Sequence, residues 1–158
     1  MNMKESWKET IRMITQNADH LLKDKQISEG VGGIDYAAIF PASKDEYILL
    51  MDKLQQEGTP VKVAPTGTVF RLKEPIKTPQ GEVSLVRIRI YDPDKSQRGY
   101  IDYQIDDYER FKKKYLALGT VSITHSRDGV EMLMAENKEV IVYFPEIPLG
   151  KTLNDEEK

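Results

Sequence analysis

A chain of 158 residues has the length of one domain and can bury a hydrophobic core without disulfides or a structural metal. It holds no cysteine, which excludes disulfide frameworks, Cys-ligated zinc and thiol catalysis. The net charge is −3 with both signs interspersed, so the chain lacks the dense basic face of the usual nucleic-acid binder.

The first segment, "MNMKESWKETIRMITQNADHLLKD", is charged throughout and has no signal-peptide-like apolar run, and no later stretch is apolar enough to span a membrane. The expectation is a cytoplasmic protein with neither a membrane nor a nucleic-acid partner. Trp7, Ile11, Ile14, Ala18 and Leu21 keep the three-and-four spacing of one helical stripe. They predict a helix from about Lys4 to Lys23, with His20 on its solvent side. "SEGVGG" then reads as a glycine-rich linker.

Next comes a strand, "IDYAAIF", and a helix, "DEYILLMDKLQQE", with Tyr47, Leu50, Met51 and Leu54 on one face and Gly58 at the C-cap position. Three strands follow, near Val61–Ala64, Thr68–Leu72 and Val83–Tyr91, separated by proline- and glycine-bearing turns. The pattern then recurs. "YIDYQID" is a strand, and "DYERFKKKYLAL" a helix with Tyr108, Phe111, Tyr115 and Leu118 inward, ending at Gly119. Strands follow at Val121–His125, Val130–Met134 and Val140–Phe144. Lys112, Lys113 and Lys114 spread around that helix as a solvated face rather than a phosphate track.

Residue identities repeat in the same order. Ile34-Asp35-Tyr36 returns as Ile101-Asp102-Tyr103, and Tyr47, Lys53, Gly58 and Thr59 return as Tyr108, Lys114, Gly119 and Thr120; an extra loop, "FPASKD", lies ahead of the first helix. The expected organisation is an N-terminal helix and linker (1–30), one domain of two βαβββ modules (31–146, divided into 31–95 and 98–146), and a charged, surface-lying tail that frays (147–158). The fold class is α+β.

A paired βαβββ unit resembles the vicinal oxygen chelate superfamily, which includes glyoxalase I, bleomycin-resistance proteins and extradiol dioxygenases. "IDY" is similar to the family's opening Ile-Asp-His, and "YIDYQIDDYERF" resembles the start of its second module. "FRLKEPI" with "VSLVRIRI" is similar, more narrowly, to the YecM-like branch, whose members are described mainly by an inferred ability to bind metal. The resemblance covers about Ile34 to Phe144. It implies a sheet curled around a cavity in which a divalent ion, held by His or Glu from the first and last strands, polarises two substrate oxygens. It also implies that the chain can form a homodimer. Carried over residue by residue, the first-strand histidine falls on Tyr36, the histidine opening the second module on Tyr100, and the last-strand glutamate near Val142. Neutral tyrosine is a poor ligand for a hard ion and valine is none. The usual metal site is therefore missing or moved.

Strand alternation assigns faces. Ser84, Val86, Ile88 and Ile90 share one face and should pack on helices; Leu85, Arg87, Arg89 and Tyr91 share the other and look into the cleft. Ile101, Tyr103 and Ile105 pack inward, leaving Tyr100, Asp102 and Gln104 on the cleft side. Tyr36 shares a face with Ile34, Ala38 and Phe40, which leaves its direction open. Arg87 and Arg89 suit a carboxylate or phosphate, since a guanidinium binds such groups in a bidentate manner. The alternative is that they pair with Asp102 or a neighbouring glutamate on a sheet face open to water. His125 and Glu131, opposite each other across a turn, are weak candidates with Asp102 for a relocated metal site, or else a plain cross-strand polar pair.

Other signals carry less. "GVGG" precedes a strand, whereas a phosphate-cradling loop follows one; "DPDKS" lacks the remainder of a calcium loop; no nucleophile elbow exists. The sequence thus favours a small-molecule-binding protein that takes an anionic ligand without a metal. The alternative is a metal-dependent lyase, isomerase or dioxygenase with relocated ligands. Whether the chain is an enzyme stays open.

Overall fold

The structure is a computed structural model and describes residues 6–157. Helix α1 (Ser6–Asp24) starts inside the expected span; Lys4 and Glu5 lie outside the described residues. Its apolar stripe is buried from Trp7 through Leu21, and His20 is exposed as expected. The linker after α1 is anchored: the Tyr115 hydroxyl donates to the Glu29 carbonyl at 3.1 Å and accepts from the Ser28 N–H at 3.2 Å.

Strand β1 (Val31–Ile39) is followed by α2 (Lys44–Glu57), β2 (Gly58–Ala64), β3 (Gly67–Thr78) and β4 (Gly81–Arg89). The same order of element types then follows in β5 (Gly99–Ile105), α3 (Tyr108–Ala117), β6 (Ser122–His125), β7 (Glu131–Glu136) and β8 (Ile141–Pro145), and α4 (Leu149–Glu157) closes the chain. All eight strands join one sheet in the order β2-β3-β4-β1-β5-β8-β7-β6. The arrangement is symmetrical about its middle: β1 and β5 are antiparallel, and each lies parallel to the last strand of its own half, β4 and β8.

Local chemistry sets the helix ends. The Ser43 hydroxyl accepts from the Glu46 N–H at 3.0 Å and Asp107 accepts from the Arg110 N–H at 3.2 Å, so each helix begins on an oxygen that satisfies a free amide. The two glycines at the C-terminal ends do different work. Gly119 has φ +71, the left-handed cap that glycine adopts freely. Gly58 is extended, and a Cβ there would stand 2.5 Å from the Arg71 carbonyl oxygen, so glycine is required by the close approach of β3. Leu118 was expected inward but is 62% exposed, because α3 ends at Ala117.

One face of the sheet carries the main core. Ile11, Ile14, Leu21, Leu54, Phe70, Ile88, Ile101, Phe111 and Phe144 pack there between the strands and α1, α2 and α3, each large side chain contributing about 1.5–3 kcal/mol. α1 therefore covers its own sheet. The opposite face carries a smaller cluster, Tyr36, Ala38, Phe40, Val69, Leu85, Tyr100, Ile141 and Leu153. Leu153 belongs to α4, so the segment expected to fray is a helix with a buried residue.

Candidate functional site

The second face is where the alternation of β4 and β5 sends its polar residues. Arg87 stands opposite Ala38 of β1, and Ala38 opposite Tyr100 of β5, so a small residue separates two long ones. One inward position further along, Tyr36 stands opposite Asp102, and Asp102 opposite Tyr143 of β8. The direction of Tyr36 follows from a bulge: Ile34 pairs with Tyr103 and Tyr36 with Asp102, leaving Asp35 as an extra residue. Ile34 consequently packs with the helix layer while Tyr36 joins the opposite face. The repeated Ile-Asp-Tyr string is thus read differently in its two copies, for Tyr103 stays in the main core.

These residues line a cavity of about 310 Å³. Its floor holds Tyr36, Arg87, Arg89, Tyr100, Asp102 and Tyr143, and its rim comes from the β2–β3 and β6–β7 hairpins, including Thr66, His125 and Arg127. Lys62 Nζ meets Asp128 Oδ2 at 3.2 Å and joins the two hairpins at the rim.

The two arginines are positioned without being neutralised. Arg87 donates from Nη2 to the Thr66 hydroxyl at 3.1 Å, and Arg89 from Nε to the Thr66 carbonyl at 2.9 Å. The Arg89 guanidinium also lies 5.5 Å from the Phe40 ring centre and 5.9 Å from that of Tyr100. Among the described residues neither arginine makes an ion pair, so the expected alternative of pairing with Asp102 or a glutamate is not what the fold does. Burial works against the Arg87 charge, but the Tyr100 and Tyr36 hydroxyls beside it outweigh that effect.

Asp102 is 3% exposed, and its Oδ1 is buried with no hydrogen-bond partner. Burial pushes its carboxyl well above the usual carboxylate range and the Asp35 charge adds to this; the Tyr36 hydroxyl and Arg87 oppose it only in part. Asp35 is better compensated, accepting from the Leu149 N–H at 2.7 Å and the Gly150 N–H at 3.1 Å at the start of α4. Burial raises Asp35 too, and those two amides pull it part of the way back. The Tyr36 and Tyr100 hydroxyls share a hydrogen bond at 3.1 Å. Burial raises Tyr36, as do Asp102 and Tyr100 beside it, and pushes Tyr143 up to about 12, so both remain neutral phenols. Arg87 Nε is likewise buried and unpartnered. An unmet buried polar atom costs about 1–3 kcal/mol, and two residues that carry one line the same cavity.

Several expected residues lie elsewhere. Gln104 lines a separate depression with Asp35 and with Gly150 and Asn154 of α4, which occupies that part of the face. Glu131 does pair in register with His125. Its carboxylate, however, accepts from the Tyr108 hydroxyl at 2.6 Å and Lys112 Nζ at 2.9 Å, and it does not line the cavity. Val142 packs in the helix-side core; the cavity residue of that strand is Tyr143. Tyr143 is hidden in "IVYFP" because all its neighbours are apolar, and Thr66 is hidden in a turn whose sequence signals only a change of direction.

The donors do not fit the divalent ion that the resemblance implies. The cavity presents the Tyr36, Tyr100 and Tyr143 phenols, a disfavoured Asp102 carboxylate and the Arg87 and Arg89 guanidinium cations, with His125 and Asp128 at its rim, and among the described residues no group of three or more His, Cys, Asp or Glu could hold a metal.

The chain is similar over its whole length to a solved structure described as "Structural Genomics, Protein EC4020", with TM-score 0.73, 15% identity, and coverage of 99% of this chain and 97% of that one. At that identity the likeness speaks for the fold alone. A looser likeness is to a glyoxalase/bleomycin resistance protein/dioxygenase superfamily member from Vibrio splendidus 12B01, with TM-score 0.45, 8% identity, and coverage of 70% of this chain and 95% of that one. Neither description names the YecM-like branch. No family model and no curated protein matches.

Proposed function

We propose that this chain is a small-molecule-binding protein built from two βαβββ modules, residues 31–95 and 98–146, that share one cavity and hold an anionic ligand on Arg87 and Arg89. One observation carries this reading: two guanidinium groups sit half-buried in a concave site and are oriented by Thr66, and among the described residues neither makes an ion pair, the nearby Asp102 carboxyl being held toward its neutral form by burial, so their charge remains to be balanced. A carboxylate or phosphate supplies that balance through charge-assisted hydrogen bonds, and it does so in a setting screened less than the open surface. The cavity is at the small end of the range for ligand sites, which suits a metabolite-sized occupant. The repeated order of elements and the mirrored strand order support a duplicated module.

Thermal-shift titration with carboxylates and inorganic phosphate tests the reading. A ligand at a hundredfold excess over its dissociation constant adds about 2.7 kcal/mol to stability, and that gain should be lost in Arg87→Ala/Arg89→Ala. If no anion raises the melting temperature of the wild type more than that of the double variant, the reading fails. A stoichiometric divalent ion in untagged protein, lost in His125→Ala, would favour the metal-dependent alternative instead.

A further inference from the structure

Two residues at the floor of the cavity each carry a buried polar atom with no hydrogen-bond partner: Oδ1 of Asp102 and Nε of Arg87. They belong to neighbouring inward positions of the sheet, Arg87 level with Tyr100 and Asp102 level with Tyr36. β4 and β5 flank β1, so the two positions lie two strand spacings, about 9–10 Å, apart across the sheet and one inward position, about 6.6 Å, apart along it; the two groups therefore address different parts of one small molecule. Building on the anion reading above, we infer that the ligand is a short oxygenated monocarboxylate. Its carboxylate is held by Arg87 and Arg89, and its hydroxyl or carbonyl oxygen is hydrogen-bonded to Asp102 beside Tyr36 and Tyr100.

The chemistry of the floor selects against a second charge. Asp102 faces Asp35, Tyr36 and Arg87, and its own negative charge is already disfavoured by burial and by Asp35. A dicarboxylate would add another anion there. A neutral carboxyl, by contrast, offers one donor and one acceptor, and this matches a hydroxyl or a carbonyl. A site built to hydrogen-bond such an oxygen rejects the analogue without it, because the buried partner is then left unmet. The Tyr36 and Tyr143 phenols stay protonated and serve the same role.

Calorimetric titration with butyrate, 3-hydroxybutyrate, acetoacetate and succinate, matched in chain length, tests this. The oxygenated monoacids should bind wild type on the order of tenfold more tightly than butyrate and than succinate. Asp102→Leu should erase that preference, and Asp102→Asn, which keeps an uncharged donor and acceptor in place, should restore most of it. Equal binding of butyrate and its oxygenated partners, or tightest binding of succinate, overturns the inference. If phosphate binds through Arg87 and Arg89 while none of the acids does, the anion reading stands and this one falls; if no anion depends on the arginines, both fall. Should Asp102→Leu fail to fold, the wild-type preference still decides, together with the infrared carbonyl band of a protonated carboxyl, present in wild type and lost in Asp102→Asn.

Discussion

Asp102 concentrates the electrostatics of this protein in one carboxyl group. Its partners are Asp35 and Tyr36 from β1, Arg87 from β4 and its own burial, and the last dominates. The consequence for stability has a definite sign. Between the ordinary carboxylate value and the raised folded value, the folded chain holds a proton that the unfolded chain has lost. Asp102's contribution is therefore complete at acid pH and declines as pH rises through the folded value, by at most about 1.4 kcal/mol per pH unit. Asp102→Asn removes this decline. Urea unfolding of both proteins across a pH series should show the variant gaining on wild type as pH rises, and curves that stay parallel would mean that Asp102 titrates alike in both states. The sequence placed this aspartate on the cleft face by alternation, but that its Oδ1 is left without a hydrogen bond depends on strands far apart in the chain.

At the scale of elements, the two glycines after α2 and α3 look interchangeable in sequence and are not. Gly119 needs only a left-handed backbone, with open space around its Cα. Gly58 needs the absence of a side chain, because β3 runs against it. Gly119→Ala should cost about 1–2 kcal/mol through strain alone. Gly58→Ala should cost more, roughly 2–3 kcal/mol, since the clash is with backbone in the β2–β3 pairing and cannot be relieved by a rotamer change. Chemical denaturation of the two variants checks the order, and equal costs would argue against the close approach at Gly58. The same contrast explains α4. Its prolines and charges suggested a loose tail, yet the Asp35 carboxylate caps its N-terminus and Leu153 is buried on the sheet, both contacts made by residues distant in sequence.

For the whole molecule, the two halves of the sheet meet at the β1–β5 pairing, and Arg98 reinforces that seam. Its Nη1 donates to the Phe40 carbonyl at 2.9 Å and to Glu46 Oε1 at 2.6 Å, while Nη2 reaches Glu46 Oε2 at 3.2 Å. Burial opposes the Glu46 charge, but Arg98 and the Ala42 N–H hold its carboxyl low. The link joins the end of β1, the start of α2 and the entry to β5, so Arg98→Ala should lower global stability by about 1–3 kcal/mol. A loss confined to fraying of α2, seen by hydrogen exchange, would show that the seam holds without it. At the cavity rim, Lys62 and Asp128 join the hairpins through a pair whose Asp128 end is exposed, worth about 0–1 kcal/mol. That pair closes the site more than it stabilises the fold.

The sequence by itself determined the helical stripe of α1, the two strand–helix–strand–strand–strand runs and the face occupied by Arg87, Arg89, Tyr100 and Asp102. Side-chain period is a local property of helix and strand geometry, and so it can be read residue by residue. Only the tertiary structure decided that a bulge at Asp35 turns Tyr36 into the cavity, that Glu131 is claimed by α3, that α4 separates Gln104 from the site, and that neither arginine makes an ion pair among the described residues. Those outcomes depend on which groups far apart in the chain meet and on which polar atoms their meeting leaves unmet, and no local period encodes that.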